Sequence, residues 1–175
     1  MAGVFQKTIR TAIATCLATI IFANSGRAEA PVSLAVFDFE LVDTSYEGEK
    51  SGVNVEETRR LALIGALLRE RLKESGRYTL VDMAPAAAKI KNAGIIHSCN
   101  GCDADIARSL RAVFAVTGKV QKVSNLILNI NVYVRDAATG KLATAMSADI
   151  RGNTDQSWTH GIKWLVRRRF LKWQP

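Results

Sequence analysis

The sequence predicts an α/β domain of the α+β type, in which helices pack on a single mixed sheet in the order β-α-β-α-α-β-β-β-α. Three observations lead to this fold class. An apolar strand pattern is followed by a helical stripe, two later strands alternate cleanly between apolar and polar residues, and the chain ends in an amphipathic helix. Because an isolated hairpin is only marginally stable, its strands are expected to join the earlier ones in one sheet. Helices that pack on the apolar face of this sheet then give a domain of two or three layers.

The first thirty residues differ in character from the rest of the chain. A positively charged start precedes an almost unbroken apolar run over residues 11–23, and small residues follow up to Ala28. This pattern is typical of a secretory signal peptide. Cys16 lies inside the apolar run, which argues against a lipoprotein. We therefore expect cleavage after Ala28, with residues 1–28 as the signal peptide and residues 29–175 as one domain.

The first elements of this domain are a strand, a helix and a second strand. Residues 33–41 are apolar on both faces, as in a central strand, and the acidic, glycine-containing residues 43–52 predict a loop. Asn54 is a suitable N-cap for a helix that Gly76 ends. The apolar stripe of this helix is formed by Leu61, Ile64, Leu68 and Leu72. Residues 78–82 predict the second strand.

Two helices and a third strand follow. Pro85 lies where a helix can begin, and residues 86–92 favour one. A further helical segment is predicted over residues 103–111, and residues 113–118 predict the third strand.

The clearest pattern belongs to a hairpin near the end of the chain. In both strands, apolar residues alternate with polar or small ones, which indicates one face on the core and one toward water or a partner. The core-facing sets are Leu126, Leu128, Ile130, Val132 and Val134 in the first strand, and Leu142, Thr144, Met146, Ala148 and Ile150 in the second. Gly140 can supply the positive φ that the turn needs. A basic helix over residues 156–172 ends the chain.

The charge of the sequence argues against nucleic acid as a partner. The net charge of +8 falls to +5 once the cations of the signal peptide, Lys7, Arg10 and Arg27, are removed. The remaining excess equals the five cations of the tail, which are Lys163, Arg167, Arg168, Arg169 and Lys172. The rest of the domain is balanced, whereas a nucleic-acid-binding protein carries a basic face.

Part of the chain resembles the TolB amino-terminal and CsgG-like domains. The residues that carry this resemblance are 105–107 leading into 114–120, and the turn at 136–142, where a strand ends in Asp-Ala-Ala-Thr-Gly-Lys-Leu. The resemblance covers most of residues 32–151 and implies their fold.

The chain is also similar to a family of bacterial exported proteins that is described as a domain of unknown function. Residues 37–41, 99–105 and 151–155 carry this second resemblance. It implies a periplasmic location and no particular reaction. Relatives of the fold mostly serve as envelope assembly or interaction modules, although a fold alone does not assign a function.

The spacing of Cys99 and Cys102 allows several kinds of chemistry. In an oxidising compartment such a pair forms a local disulfide. Alternatively, Cys99 near the start of the following helix would be a reactive thiolate of a redox pair. Haem attachment is excluded because Asp103 stands where the axial histidine is needed. A zinc site needs two further ligands, for which His97 and Asp103 or Asp105 are the nearest candidates.

Acidic residues near the first strand and the cysteine pair are candidate ligands for a metal or a small molecule. The candidates are Asp38, Glu40, Asp43, Asp103 and Asp105. Their oxygens suit a hard cation, but their spacing is not that of a known calcium loop. A solvated loop is the alternative interpretation.

The tail offers a surface for a partner or a membrane. Its basic and aromatic residues are Trp164, Arg167, Arg168, Arg169, Lys172 and Trp173. Such a segment can lie at an anionic membrane surface, or it can be a terminal helix packed on the sheet with solvated arginines.

The sequence contains no catalytic constellation, such as a Ser-His-Asp set, a nucleophile elbow or a phosphate-binding glycine loop. We therefore expect no cofactor and no enzymatic reaction. The predicted function is that of a periplasmic accessory or interaction module with a protein partner in the envelope. A thiol–disulfide protein and a metal- or ligand-binding protein are the alternatives.

Overall fold

One mixed sheet of five strands forms the centre of the protein. The computed structural model describes residues 30–175, so the predicted signal peptide lies outside the described residues. The strands are β1 (Val32–Asp43), β2 (Tyr78–Leu80), β3 (Phe114–Ser124), β4 (Ile127–Asp136) and β5 (Leu142–Ile150). Their order across the sheet is β2-β1-β3-β4-β5, with β1 parallel to β2 and β3, and with β4 antiparallel to β3 and β5. The predicted fold class is confirmed.

Helices cover one face of this sheet completely and the other face only in part. The helices are α1 (Tyr46–Ser51), α2 (Val55–Glu74), α3 (Ala87–Ala93), α4 (Cys102–Ser109) and α5 (Asp155–Arg168). Helices α2 and α5 pack side by side on the first face and bury the larger hydrophobic core. Helices α3 and α4 pack on the second face over β1 and the start of β3, around a smaller core of mostly alanine.

Helix α2 begins and ends where the sequence predicts. The Asn54 side chain accepts hydrogen bonds from the backbone N–H groups of Glu56 (2.9 Å) and Glu57 (3.3 Å), which satisfies two donors at the helix start. Gly76 follows the helix with φ of 66°, a left-handed conformation that glycine adopts without steric cost. The predicted stripe residues Ile64, Leu68 and Leu72 are buried in the larger core.

Three elements differ from the prediction by more than two residues. The predicted loop 43–52 contains the short helix α1, whose start is capped by the Ser45 hydroxyl. Strand β3 continues to Ser124 instead of ending near residue 118, because its second half pairs with both β1 and β4.

The predicted terminal helix 156–172 stops early, since α5 ends at Arg168. Arg169 leaves the helical conformation with φ of −122°. The chain then resumes as a 3-10 turn over Phe170–Lys172. This break lets the Phe170 ring enter the core, where it lies 5.5 Å from the Tyr78 ring in an edge-on arrangement.

A buried ion cluster joins β3 to the start of α2. The Lys122 ammonium, 1% exposed, lies 2.7 Å from Glu57 Oε1 and 3.1 Å from Asp43 Oδ2. Burial acts to raise the pKa of Asp43, but hydrogen bonds from Ser45 and Lys122 outweigh it and hold that pKa below its usual value. Burial also acts to lower the pKa of Lys122, and the bonds to Glu57 and Asp43 outweigh it and raise that pKa. Asp43 and Lys122 are therefore both charged at neutral pH.

Candidate binding cleft on the open face of the sheet

Among residues 30–175, no helix covers the second face of β5 or most of β4. We call this surface the open face. Its side chains are half-buried or exposed and belong to Asn129, Asn131, Tyr133, Arg135, Ala143, Ala145, Ser147 and Asp149. Helix α4 packs mainly on β3 and touches only one end of β4, so the polar side of the alternating hairpin stays largely uncovered.

A polar cleft lies where the open face meets the cysteine loop. Its volume is about 300 Å³, at the lower end of the range for small-molecule sites. The lining comes from β3, β4 and β5, from the segment before α4 and from the first turn of α4. It consists of Ile96, His97, Asn100, Gly101, Asp103, Thr117, Lys119, Tyr133, Arg135 and Leu142.

One wall of the cleft is fixed to β1 by Glu40. Its Oε1 accepts a hydrogen bond from the Ile96 N–H (2.7 Å), and its Oε2 accepts one from the His97 N–H (2.8 Å). The same Oε2 lies 2.7 Å from His97 Nδ1. The carboxylate therefore caps the 3-10 turn Ile96–Ser98 and orients the imidazole, and the geometry assigns the proton of a neutral His97 to Nδ1.

A disulfide between Cys99 and Cys102 closes the loop at the end of the cleft. Asn100 and Gly101 inside it have φ of 56° and 108°, so the chain reverses there and turns both residues toward the cleft. Helix α4 begins at Cys102, so Cys102 and not Cys99 is the cysteine at the helix start. A redox role for the pair stays a prediction.

The floor of the cleft carries two cations. Arg135 is held in place, since its Nε lies 3.1 Å from Asp103 Oδ2 and its Nη1 donates to the Gly140 carbonyl over 2.9 Å. The Lys119 ammonium lies 5.7 Å from the centre of the Tyr133 ring and forms no salt bridge with any residue between 30 and 175.

The five acids that the sequence offered as metal or ligand groups are not brought together. Asp38 pairs with Arg69, Asp43 with Lys122, Asp103 with Arg135, Asp105 with Arg108, and Glu40 with His97. Within the described part of the chain, no group of three or more histidine, cysteine or acidic side chains is placed to hold a metal ion. Glu40 and Asp103 contribute to the cleft as structural anchors.

The tail residues divide into a buried and an exposed set. Trp173 packs against Phe114, with ring centres 5.2 Å apart, and Arg77 donates to the carbonyls of Leu171 and Trp173. Trp164 is 39% exposed. Beside it, a groove of about 460 Å³ between α2 and α5 is lined by Arg71, His160, Lys163, Trp164, Val166, Arg167 and Leu171. We call this surface the basic groove.

The family of the chain follows from its sequence. Residues 32–170 match the family DUF3280, whose description is "Protein of unknown function (DUF2380)". The chain belongs to this family. The predicted membership in a family of unknown function is thus confirmed. No curated protein matches the chain in sequence.

Several solved structures are similar to this fold at low sequence identity. The LpoB C-terminal domain from Escherichia coli is 16% identical, with a TM-score of 0.50 over 69% of this chain and 83% of that domain. Lipoprotein GNA1162 from Neisseria meningitidis is 17% identical, with a TM-score of 0.49 over 83% of this chain and 100% of that structure. The first of these likenesses supports the fold alone. The resemblance to TolB amino-terminal and CsgG-like domains stays a prediction.

The cleft itself was not predicted from the sequence. Lys119 and Thr117 lie in the segment of β3 at and beyond the predicted strand end, and His97 was considered only as a zinc ligand. Two sequence signals pointed here: the polar side of the alternating hairpin, which includes Tyr133 and Arg135, and the candidate residue Asp103 beside the cysteine pair.

Proposed function

We propose that this protein is an exported, non-enzymatic accessory module of the bacterial envelope, which binds a protein partner through the open face of β4 and β5 and the adjoining cleft. One observation carries the proposal: within residues 30–175, a polar sheet face that helices leave largely uncovered borders a cleft whose walls are fixed by a disulfide and by Glu40. A rigid, polar, uncovered surface of this kind suits recognition of a partner.

The acids beside the open face hold the cleft in shape. Asp103 is paired with Arg135, and Glu40 is bonded to His97 and to two backbone N–H groups. Both carboxylates therefore fix the walls of the cleft in place for a partner. Among residues 30–175, no helix combines the length and the apolar character needed to span a membrane.

Photo-crosslinking in the periplasm tests the proposed partner surface. We expect a photoreactive phenylalanine analogue at Ala145, an exposed position opposite Tyr133 on the open face, to give one discrete adduct. The matched control places the same analogue at Ala66, an exposed residue of α2 on the other side of the sheet. An adduct from Ala66 and none from Ala145 would contradict the proposal.

The basic groove supports a second candidate function, contact with an anionic membrane surface. Exposed cations surround a half-exposed indole, and no acidic residue follows Asp155 in the sequence. Tryptophan and arginine side chains are favoured at the headgroup level of a bilayer.

Vesicle co-sedimentation tests the membrane contact. We expect the protein, without its signal peptide, to bind vesicles containing phosphatidylglycerol and not vesicles of phosphatidylcholine alone. Each cation near an anionic surface contributes about 1 kcal/mol, so Lys163→Gln with Arg167→Gln, two cations of the basic groove, should weaken binding roughly 30-fold. The control variant, Lys89→Gln with Lys91→Gln, removes two charges from exposed positions of α3. Equal losses in both variants would show a general charge effect and would overturn the assignment.

A further inference from the structure

We propose that the cleft recognises an oxyanion, a carboxylate or a phosphate, that the partner presents. This inference rests on the proposed function, because it assigns a chemistry to the same surface. It depends on which hydrogen-bonding groups of the cleft are already occupied and which are left for a ligand.

The acids of the cleft are occupied by the protein itself. Both oxygens of Glu40 accept hydrogen bonds, from Ile96 N–H and from two nitrogens of His97. Asp103 is 5% exposed and bonds to Arg135. Glu40 is the cross-strand neighbour of Lys119, yet their charged groups form no salt bridge. Both acids of the cleft therefore already have hydrogen-bond partners within the protein.

The polar groups of the cleft that a ligand can still use are hydrogen-bond donors. The Lys119 ammonium lies 5.7 Å from the centre of the Tyr133 ring and forms no salt bridge within the described part of the chain, and an ammonium donates and never accepts. Arg135 uses Nε and Nη1 for Asp103 and Gly140, which leaves its Nη2. A ligand that meets an ammonium and a guanidinium edge gains most by bringing an anionic acceptor, since charge-assisted hydrogen bonds are about twice as strong as neutral ones.

Hydroxyl groups complete the set of donors. The Thr117 and Tyr133 side chains lie opposite each other on β3 and β4, and both line the cleft. Thr117 is 5% exposed. A hydroxyl can donate to an anion at little cost, because its hydrogen rotates to suit the acceptor. Two cations and two hydroxyls thus converge on a cavity of about 300 Å³.

The size of the cavity points to one charged group of a larger partner. Its volume is at the lower limit for sites that enclose a whole small molecule. Leu142, the first residue of β5, forms part of its rim, so the cleft continues into the open face. A partner can place an oxyanion in the cleft and lie along β4 and β5 with its remaining surface.

Titration followed by amide NMR tests this inference on the mature protein. The probes are sodium phosphate and N-acetylalanine, which present the two anions separately. We expect at least one probe to give saturable shifts at Thr117, Lys119 and Gly101. Lys119→Met should weaken that binding about tenfold, the factor lost with one charge-assisted contact. Lys89→Met, at an exposed position of α3, removes the same charge elsewhere and should leave binding unchanged.

The outcomes separate this inference from the proposed function. Binding of phosphate or of the carboxylate, lost in Lys119→Met and kept in Lys89→Met, supports the oxyanion site and identifies its ligand class. No saturable shift with either probe, or equal weakening in both variants, overturns it. If the Ala145 crosslink persists after such a result, the partner surface stands and only its oxyanion chemistry is wrong.

Discussion

Lys122→Met is expected to lower the free energy of unfolding by about 3–5 kcal/mol, the usual cost of removing one partner from a buried ion pair. The methionine fills most of the volume of the lysine side chain, but Glu57 and Asp43 then stay buried without their cation. Urea unfolding followed by circular dichroism measures the change. Lys119→Met, three residues earlier in β3 and on the half-buried opposite face, is the control and should change the free energy by less than about 0.5 kcal/mol.

The pH dependence of the unfolding free energy tests whether the loss in Lys122→Met comes from the charges of the ion cluster. The pKa of Asp43 is lowered in the folded state, so its contribution is present above the unfolded pKa of about 3.9 and is lost as pH falls through the folded pKa. The pKa of Lys122 is raised, so its contribution is present below about 10.4 and is lost as pH rises through the folded pKa. The difference in unfolding free energy between wild type and Lys122→Met should be largest at pH values between these two pKa limits. A gap that stays constant from pH 3 to pH 11 would contradict the ionic account.

Trp158→Ala is the second change with a large expected effect, a loss of about 3–5 kcal/mol. Trp158 is 0% exposed and packs in the core between α5 and the sheet. Its indole N–H also donates to Asn153 Oδ1 over 3.0 Å, and Asn153 in turn donates to Glu57. The substitution therefore leaves a cavity. It also removes the first of two hydrogen bonds that connect Trp158 through Asn153 to Glu57 of the ion cluster.

Trp164→Ala, on the same helix, is the matched control for this prediction. Because Trp164 is 39% exposed, its removal should cost less than about 1 kcal/mol. Circular dichroism is the suitable probe, since both variants alter tryptophan fluorescence. Equal losses for the two tryptophans would contradict the burial that distinguishes them.

Local patterns predicted much of the fold, because the forces behind them act between neighbours in sequence. The Asn54 cap and the stripe of Ile64, Leu68 and Leu72 follow from helical spacing alone. The alternation in β4 and β5 follows from the two-residue period of a strand. The fold class could therefore be stated before any tertiary contact was known.

What the sequence could not show depends on contacts between distant residues. Lys122 is separated from Glu57 by 65 residues, and nothing local marks this lysine as buried while Lys119 stays accessible. The predicted end of the third strand at residue 118 was wrong for the same reason, since two neighbouring strands stabilise the remainder of β3.

The cleft escaped prediction because its members come from three strands, from the segment that leads into α4 and from α4 itself. Each of them has an ordinary local explanation when it is considered alone. Glu40, for example, was offered as a metal ligand, whereas it caps the turn before Cys99 from a distance of more than fifty residues. Only the sheet order β1-β3-β4-β5 places these side chains around one cavity.

We propose the open face of β4 and β5 as the surface that binds the partner. The crosslinking yield from Ala145 compared with Ala66, measured in cells that export the protein, tests it most directly. We expect a discrete adduct from Ala145 and none from Ala66. The Ala145 adduct should disappear when Tyr133 and Lys119 are replaced by alanine. Equal yields from the two positions, or an adduct that survives these replacements unchanged, would contradict it.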